Sequence, residues 1–158
     1  MDICFKTDLG KFNYRVCAVI INGDKVLAMK DNHADYYYLP GGRVQFNETA
    51  ENALLRELKE ELNVDAKIVR PLYFNQNFFN EDVLKVDYHE IGIYFLVDVT
   101  ETDIMSRGES FIGVETVKNQ RFEWLDFDRV KKEYLYPNFI KENIDKLPKT
   151  FVIINEFK

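Results

Sequence analysis

The sequence predicts an α+β domain in which a mixed β-sheet is sandwiched between α-helices, an α/β/α sandwich. Strand-like apolar runs stand on both sides of one amphipathic helix. Two further helical segments follow toward the C-terminal end. No internal repeat, low-complexity tract or linker divides the 158 residues, so one domain is expected over 1–158. Apolar residues make up 46% and aromatic residues 15%, which excludes a disordered chain.

The elements follow in order. Residues 16–21 are almost wholly apolar and read as a buried strand. Asn22, Gly23 and Asp24 form a hairpin turn, and 25–30 is the returning strand. Residues 36–39 lead into a tight loop at Pro40, Gly41 and Gly42. A helix is expected over 50–62, with Thr49 as its N-cap and Glu51 favouring the positive end of the helix dipole. Leu54, Leu58 and Leu62 form its apolar stripe. Asn63 suits the left-handed residue after such a helix, and Val64 supplies the apolar contact beyond it. Two β-rich segments are expected over 65–79 and 88–99. A loop carrying Glu101, Glu109 and Glu115 then precedes a strand over 121–125. Asp126 is expected to cap a helix through 134, Pro137 to start another through 147, and 151–155 to form an edge strand.

Charge narrows the partners. Acidic residues number 27 against 21 basic, a net charge of −6. That balance argues against a nucleic-acid polymer or an anionic membrane as partner. It leaves a small anionic ligand, provided that metal ions and a few local Arg or Lys residues screen the charge. The two cysteines, Cys4 and Cys17, show no metal-type spacing and fit a reduced, cytoplasmic chain. No stretch approaches a membrane span, and no apolar leader with a cleavage site opens the sequence. Apolar strands and the C-terminal helices offer a face for a homodimer.

The chemistry concentrates on the long helix. Glu57, Glu60 and Glu61 stand at i, i+3 and i+4, within roughly 100° of one another on the helix. Like charges at i, i+4 cost a few tenths of a kcal/mol per pair, on the order of 0.2–0.5. A hard divalent cation with oxygen ligands offsets that repulsion; Mg²⁺ is the first choice and Mn²⁺ the alternative.

The stretch from Gly42 to Val64 resembles the Nudix box of the Nudix (MutT-like) hydrolases. Its fixed positions read Gly42, Glu48, Arg56, Glu57, Leu58, Glu60, Glu61, Asn63 and Val64. One departs from the pattern: Asn63 stands where the family has Gly, and Asn is the next choice where φ is positive. The resemblance implies a Nudix fold and cleavage of a nucleoside diphosphate linked to another group, by water attack at phosphorus. It implies Glu57, Glu60 and Glu61 as metal-binding and catalytic residues, with a backbone carbonyl from Gly41 or Gly42. Gly42, Glu48, Arg56 and Asn63 become structural members of the motif. Arg56 pairs with Glu60, or with Glu48 across the loop, and holds the ligands in place.

The general base is expected at Glu61 or Glu60, with Glu109 and Glu115 of the later loop in second rank. Arg43 and Arg15 are the local positive charges for phosphate oxygens. Tyr38, with Tyr36, Tyr37, Tyr73, Phe78 and Phe79, belongs to the set of rings from which a base-stacking partner would come. His33 reads as a solvated loop residue, and His89 and Trp124 as strand residues of the core or edge. No sub-family marker stands at Asn80, Glu81 or Asp82, so a nucleoside triphosphate, ADP-ribose or a sugar nucleotide all stay open. Two alternatives accompany this reading. One is a nucleotide-sensing domain that does not cut. The other is an isoprenoid-diphosphate isomerase-like enzyme, which would need a Cys and Glu pair in its cleft.

Overall fold

The long strand β2 (Gly10–Asn22) is the axis of the computed structural model, which describes residues 1–115 and 119–158. β1 (Cys4–Thr7) precedes it, and β3 (Lys25–Lys30) returns along it through the Gly23-Asp24 turn, where Asn22 faces Lys25. β4 (Gly41–Arg43) leads into α1 (Ala50–Leu62). β5 (Lys67–Glu81) and β6 (Val86–Asp98) form a long antiparallel pair. A 3₁₀ turn (Ile104–Arg107) and β7 (Ser110–Ile112) come before β8 (Arg121–Asp126). α2 (Phe127–Lys132), α3 (Asn138–Asn143) and β9 (Val152–Phe157) follow.

The sheet runs β7-β8-β3-β2-β6-β5-β9, with β1 and β4 also paired to β2. β2 is parallel to β6 and β5 to β9, whereas the other pairs are antiparallel. This is the predicted mixed sheet. Strand alternation sorts β2 onto two cores. Val16, Ala18 and Ile20 pack with Leu54, Leu58 and Leu62 of α1. Cys17 and Val19 pack with Val130 of α2 and Phe139 and Ile140 of α3. The sheet therefore lies between α1 on one face and the two short helices on the other.

α1 occupies the predicted residues. Thr49 accepts from the Asn52 N–H at 3.1 Å, and Asn63 takes the left-handed conformation at φ 53°. Several boundaries differ from expectation. β2 begins six residues before Val16, because Phe12 and Tyr14 alternate with polar partners and so hide the strand from an apolar-run reading. The Pro40 loop carries a short strand, β4, because glycine lets the backbone close on β2. Gly41 has φ 151°, and a Cβ there would stand 2.0 Å from the Val16 carbonyl oxygen. β1 and β7 were not anticipated; both are short and flank exposed turns. Asp126 ends β8 in register with Lys25, and its side chain makes no cap bond. α2 and α3 stop short of 134 and 147.

Candidate active site

Register places three elements around one cleft. β4 lies beside β2 with Gly41, Gly42 and Arg43 opposite Cys17, Val16 and Arg15. α1 packs over this junction and brings two carboxylates to it. Glu57 and Glu61 are 7% and 1% exposed and line a cleft of about 700 Å³ with Gly41, Gly42, Arg15 and Arg43. Gly42 is required by contact rather than by backbone angle. A Cβ on it would meet the Glu57 carboxylate, 2.2 Å from its carbon and 2.4 Å from each oxygen.

Arg56 holds this arrangement. Its Nε donates to Glu48 Oε1 at 2.8 Å and its Nη2 to Glu48 Oε2 at 3.0 Å. Nη2 also reaches the Arg43 carbonyl at 3.0 Å, and Nη1 donates to Glu57 Oε1 at 2.8 Å. One planar fork thus ties the loop after β4 to the first of the cleft carboxylates, a task that suits guanidinium geometry. Glu48 in turn accepts from the Gln45 N–H at 2.9 Å, closing the loop. The bond from Arg56 is the main cause that holds the Glu48 carboxyl below its ordinary pKa.

Glu60 stands apart from its two neighbours. Its side chain is about half exposed, 3.5 Å from Arg56 Nη1, and it does not line the cleft. The helix explains this: Glu57 and Glu61 lie about 40° apart around the axis, whereas Glu60 lies about 100° from Glu61 on the outer flank. Among the described residues no three His, Cys, Asp or Glu side chains already converge as a metal cage. The donor set nevertheless fits a hard cation. It comprises two nearly buried carboxylates on one line of a helix, and a glycine strand whose bare Cα leaves room for one of them.

Two arginines stand in the same cleft. Arg15 and Arg43 face each other across β2 and β4, and both line the cleft. Burial tends to lower the Arg15 pKa, but the electronegative groups around it, with Glu90 and Glu61 among them, leave it raised and firmly cationic. Arg43 Nε donates to Asn13 Oδ1 at 2.9 Å, and Asn13 Nδ2 donates to Glu90 at 2.6 Å. Tyr38 lines the cleft, and its hydroxyl donates to Asp31 at 2.6 Å. Tyr36, Phe79 and His33 line it too. Tyr37 turns away to Glu123, Tyr73 is core, and Phe78 packs on His89 on the opposite face. Trp124 is core, as expected. Glu109 pairs with Lys25 at 2.9 Å on the surface, and neither it nor the half-buried Glu115 lines the cleft.

Sequence reasoning missed part of the lining: Asn13, Cys17, Asn75, Asn77, Glu90, Tyr94, Gln120 and Tyr136. A partial signal lay in β5 and β6, where Asn75 and Asn77, and then Glu90 and Gly92, alternate onto one face, although Gln76 and His89 between and beside them blur the pattern. Cys17 and Glu90 do share the cleft, although burial pushes the Cys17 thiol up to about 11.

Residues 11–146 match the model of the NUDIX domain family, and the chain belongs to that family. It is 30% identical over 145 residues to an RNA pyrophosphohydrolase of Campylobacter jejuni subsp. doylei, covering 84% of this chain and 88% of that one. It is 34% identical over 113 residues to an mRNA-decapping protein of fowlpox virus, covering 70% of this chain and 47% of that protein. The chain thus spans about half the length of this viral relative. A MutT mutator protein of Bacillus halodurans has the same fold, with a TM-score of 0.64 at 12% identity, over 90% of this chain and 89% of that one. The enzyme class is that of the Nudix pyrophosphohydrolases, which act on nucleotide-derived substrates and generally use a divalent metal.

Proposed function

We propose that this chain cleaves the diphosphate linkage of a nucleoside diphosphate bonded to a further group, by water attack at phosphorus. Nucleoside triphosphates, ADP-ribose and sugar nucleotides are the substrates in view. One observation carries the reading: two nearly buried carboxylates, Glu57 and Glu61, share a cleft with two arginines and a glycine strand. Glu57, Glu61 and the Gly41 carbonyl would hold the metal, with Glu60 at the outer flank. Mg²⁺ is the first choice and Mn²⁺ the alternative; when bound, the ion supplies Lewis acidity and lowers the pKa of water.

The chain's own groups do the rest. Arg43 and Arg15 bind phosphate oxygens and neutralise charge that grows on the leaving phosphate. Glu61, the more buried carboxylate, takes the proton from the attacking water. Arg56 holds Glu57 and the β4 loop in register. Tyr38 lines the substrate channel beside them. The names of two relatives support an RNA 5′ end as a second substrate class, since one is a decapping protein and the other an RNA pyrophosphohydrolase. The isomerase alternative would run through Cys17 and Glu90, and no relative named above points to it.

The test is a panel of nucleoside triphosphates, ADP-ribose, sugar nucleotides and a 5′-triphosphorylated RNA, with products identified by phosphorus NMR. Metal-dependent appearance of a nucleotide and a phosphate-bearing product supports the reading. Tight nucleotide binding with no member cleaved would replace it with a sensing role.

A further inference from the structure

Beyond the carboxylates and arginines, the cleft continues along the sheet, and its floor changes character in ordered rows. One row reads Arg43, Arg15, Gly92 and Asn75 across β4, β2, β6 and β5. The next reads Asn13, Glu90 and Asn77, and the one after it Lys11, Tyr88 and Phe79. Positive charge therefore stands at the α1 end. Gly92 has no side chain of its own, and the Tyr94 ring lies beside it, 3.1 Å from where a Cβ would stand; the β5 end carries acceptors beside an aromatic pair. Tyr88 and Phe79 stack at 4.8 Å with 8° between their planes, and Lys11 Nζ lies 5.3 Å over Tyr88.

Two amide oxygens here are buried without partners, and a hydrogen bond fixes the direction of one of them. Asn75 is 3% exposed, and its Nδ2 donates to Glu156 Oε1 at 2.9 Å. A carboxylate only accepts, so this bond sets which way the amide points. Asn75 Oδ1 is left buried with no partner, and Asn77 Oδ1 is in the same state. Both residues line the cleft. Glu90 stands between Asn13 and Asn77, with one oxygen taken by Asn13. Buried acceptors without donors are costly. A ligand that brings adjacent N–H groups removes that cost, and a purely acceptor edge does not.

We propose that the β5–β6 end of the cleft, floored by Asn75, Asn77 and Glu90 and walled by Phe79, is a nucleobase subsite for a base edge with adjacent N–H donors. Guanine carries such an edge, with its ring N–H next to an exocyclic amino group. Adenine offers one amino group beside a ring acceptor, and uracil a single ring N–H between carbonyls. The row order gives the ligand its direction, with phosphates on Arg43 and Arg15 and the base over Phe79. The assignment rests on the nucleotide-hydrolase reading above.

The test has two arms. The first is metal-free equilibrium dialysis of GMP, IMP, AMP, CMP and UMP against the intact protein. The second is kcat/KM for the matching triphosphates with Mg²⁺. Both arms are run on the wild type, Asn77→Ala and Glu90→Gln. A site built around donor contacts discriminates by between about 5- and 150-fold. GMP is expected to bind at least about 10-fold tighter than AMP or UMP, and IMP, which lacks the amino group, between them. The GTP to ATP ratio is expected to fall toward one in both variants, a change that loss of folded protein does not produce. Cleavage of all bases within about 2-fold in the wild type would overturn the subsite and leave the hydrolase reading intact. GMP preference without cleavage of any triphosphate would uphold the subsite and overturn the hydrolase reading. A GMP preference that survives both variants would assign base selection to other residues.

Discussion

Substitution of Gly42 by Ala separates the site from the fold. Gly42 has no positive φ, so alanine fits its backbone. The added Cβ would stand 2.2 Å from the Glu57 carboxylate carbon. Ordinary carbon contacts lie at about 3.5–4.0 Å, so the carboxylate must retreat by about 1 Å or more. What retreats is the far end of a flexible side chain, and the cost to stability stays near the low end of overpacking, about 1 kcal/mol. That is a loss of about 2–4 °C in Tm for a domain of this size. A displacement of about 1 Å in a catalytic group costs about 100-fold in rate, or about 2.7 kcal/mol of transition-state stabilisation. The same change one residue earlier behaves differently. Gly41 has φ 151°, and its Cβ would press on the Val16 backbone, 2.0 Å from the carbonyl oxygen, which cannot swing aside. Gly41→Ala is expected to cost about 3 kcal/mol or more. Turnover of a nucleoside triphosphate and thermal unfolding are measured on both variants. Full activity in Gly42→Ala would refute the placement of Glu57 in the working site. Equal destabilisation of the two variants would refute the division between a contact glycine and a backbone glycine.

Other outcomes follow from the same network. Arg56→Ala leaves Glu48 and Glu57 without their fork, and is expected to destabilise by about 2–4 kcal/mol in urea denaturation. Arg56→Lys is expected to recover less than half of that loss, because a point charge cannot bridge Glu48, Glu57 and the Arg43 carbonyl together. Glu48 titrates below its ordinary value of 4.5 in the folded chain. Its contribution to stability is therefore present above that value and lost as pH falls through the lowered one. Unfolding free energy from pH 6 down to pH 3 is expected to drop less steeply in Arg56→Ala than in the wild type. Asn63→Gly, at φ 53°, is expected to raise stability by up to about 1 kcal/mol, and Asn63→Ala to lower it by a similar amount.

The acidic helix was the most legible part of the molecule, since its cap, stripe and exit residue all repeat local rules that do not depend on neighbours. The hairpin at Gly23 was legible for the same reason. β4 was not, because two glycines and an arginine carry no strand signal, and only pairing to β2 makes them one. The triple Glu57, Glu60 and Glu61 was read correctly as a helical face. A face of about 100° is wider than a cleft, however, and packing turned Glu60 to its rim. Asn13, the pair Asn75 and Asn77, and Glu90 come from three strands and meet through the parallel pairing of β2 with β6 and the antiparallel pairing of β6 with β5, a register that alternation within any one strand does not give.

The carboxylates of α1 are proposed to work through a divalent metal in the cleft. The most direct measurement is the rate of nucleoside triphosphate cleavage by the wild type and Glu61→Gln over a Mg²⁺ titration, with excess EDTA as the end point. Cleavage that saturates with Mg²⁺, stops in EDTA and falls by about 100-fold or more in Glu61→Gln is the predicted result. Cleavage that continues in EDTA, or that Glu61→Gln leaves unchanged, would contradict it.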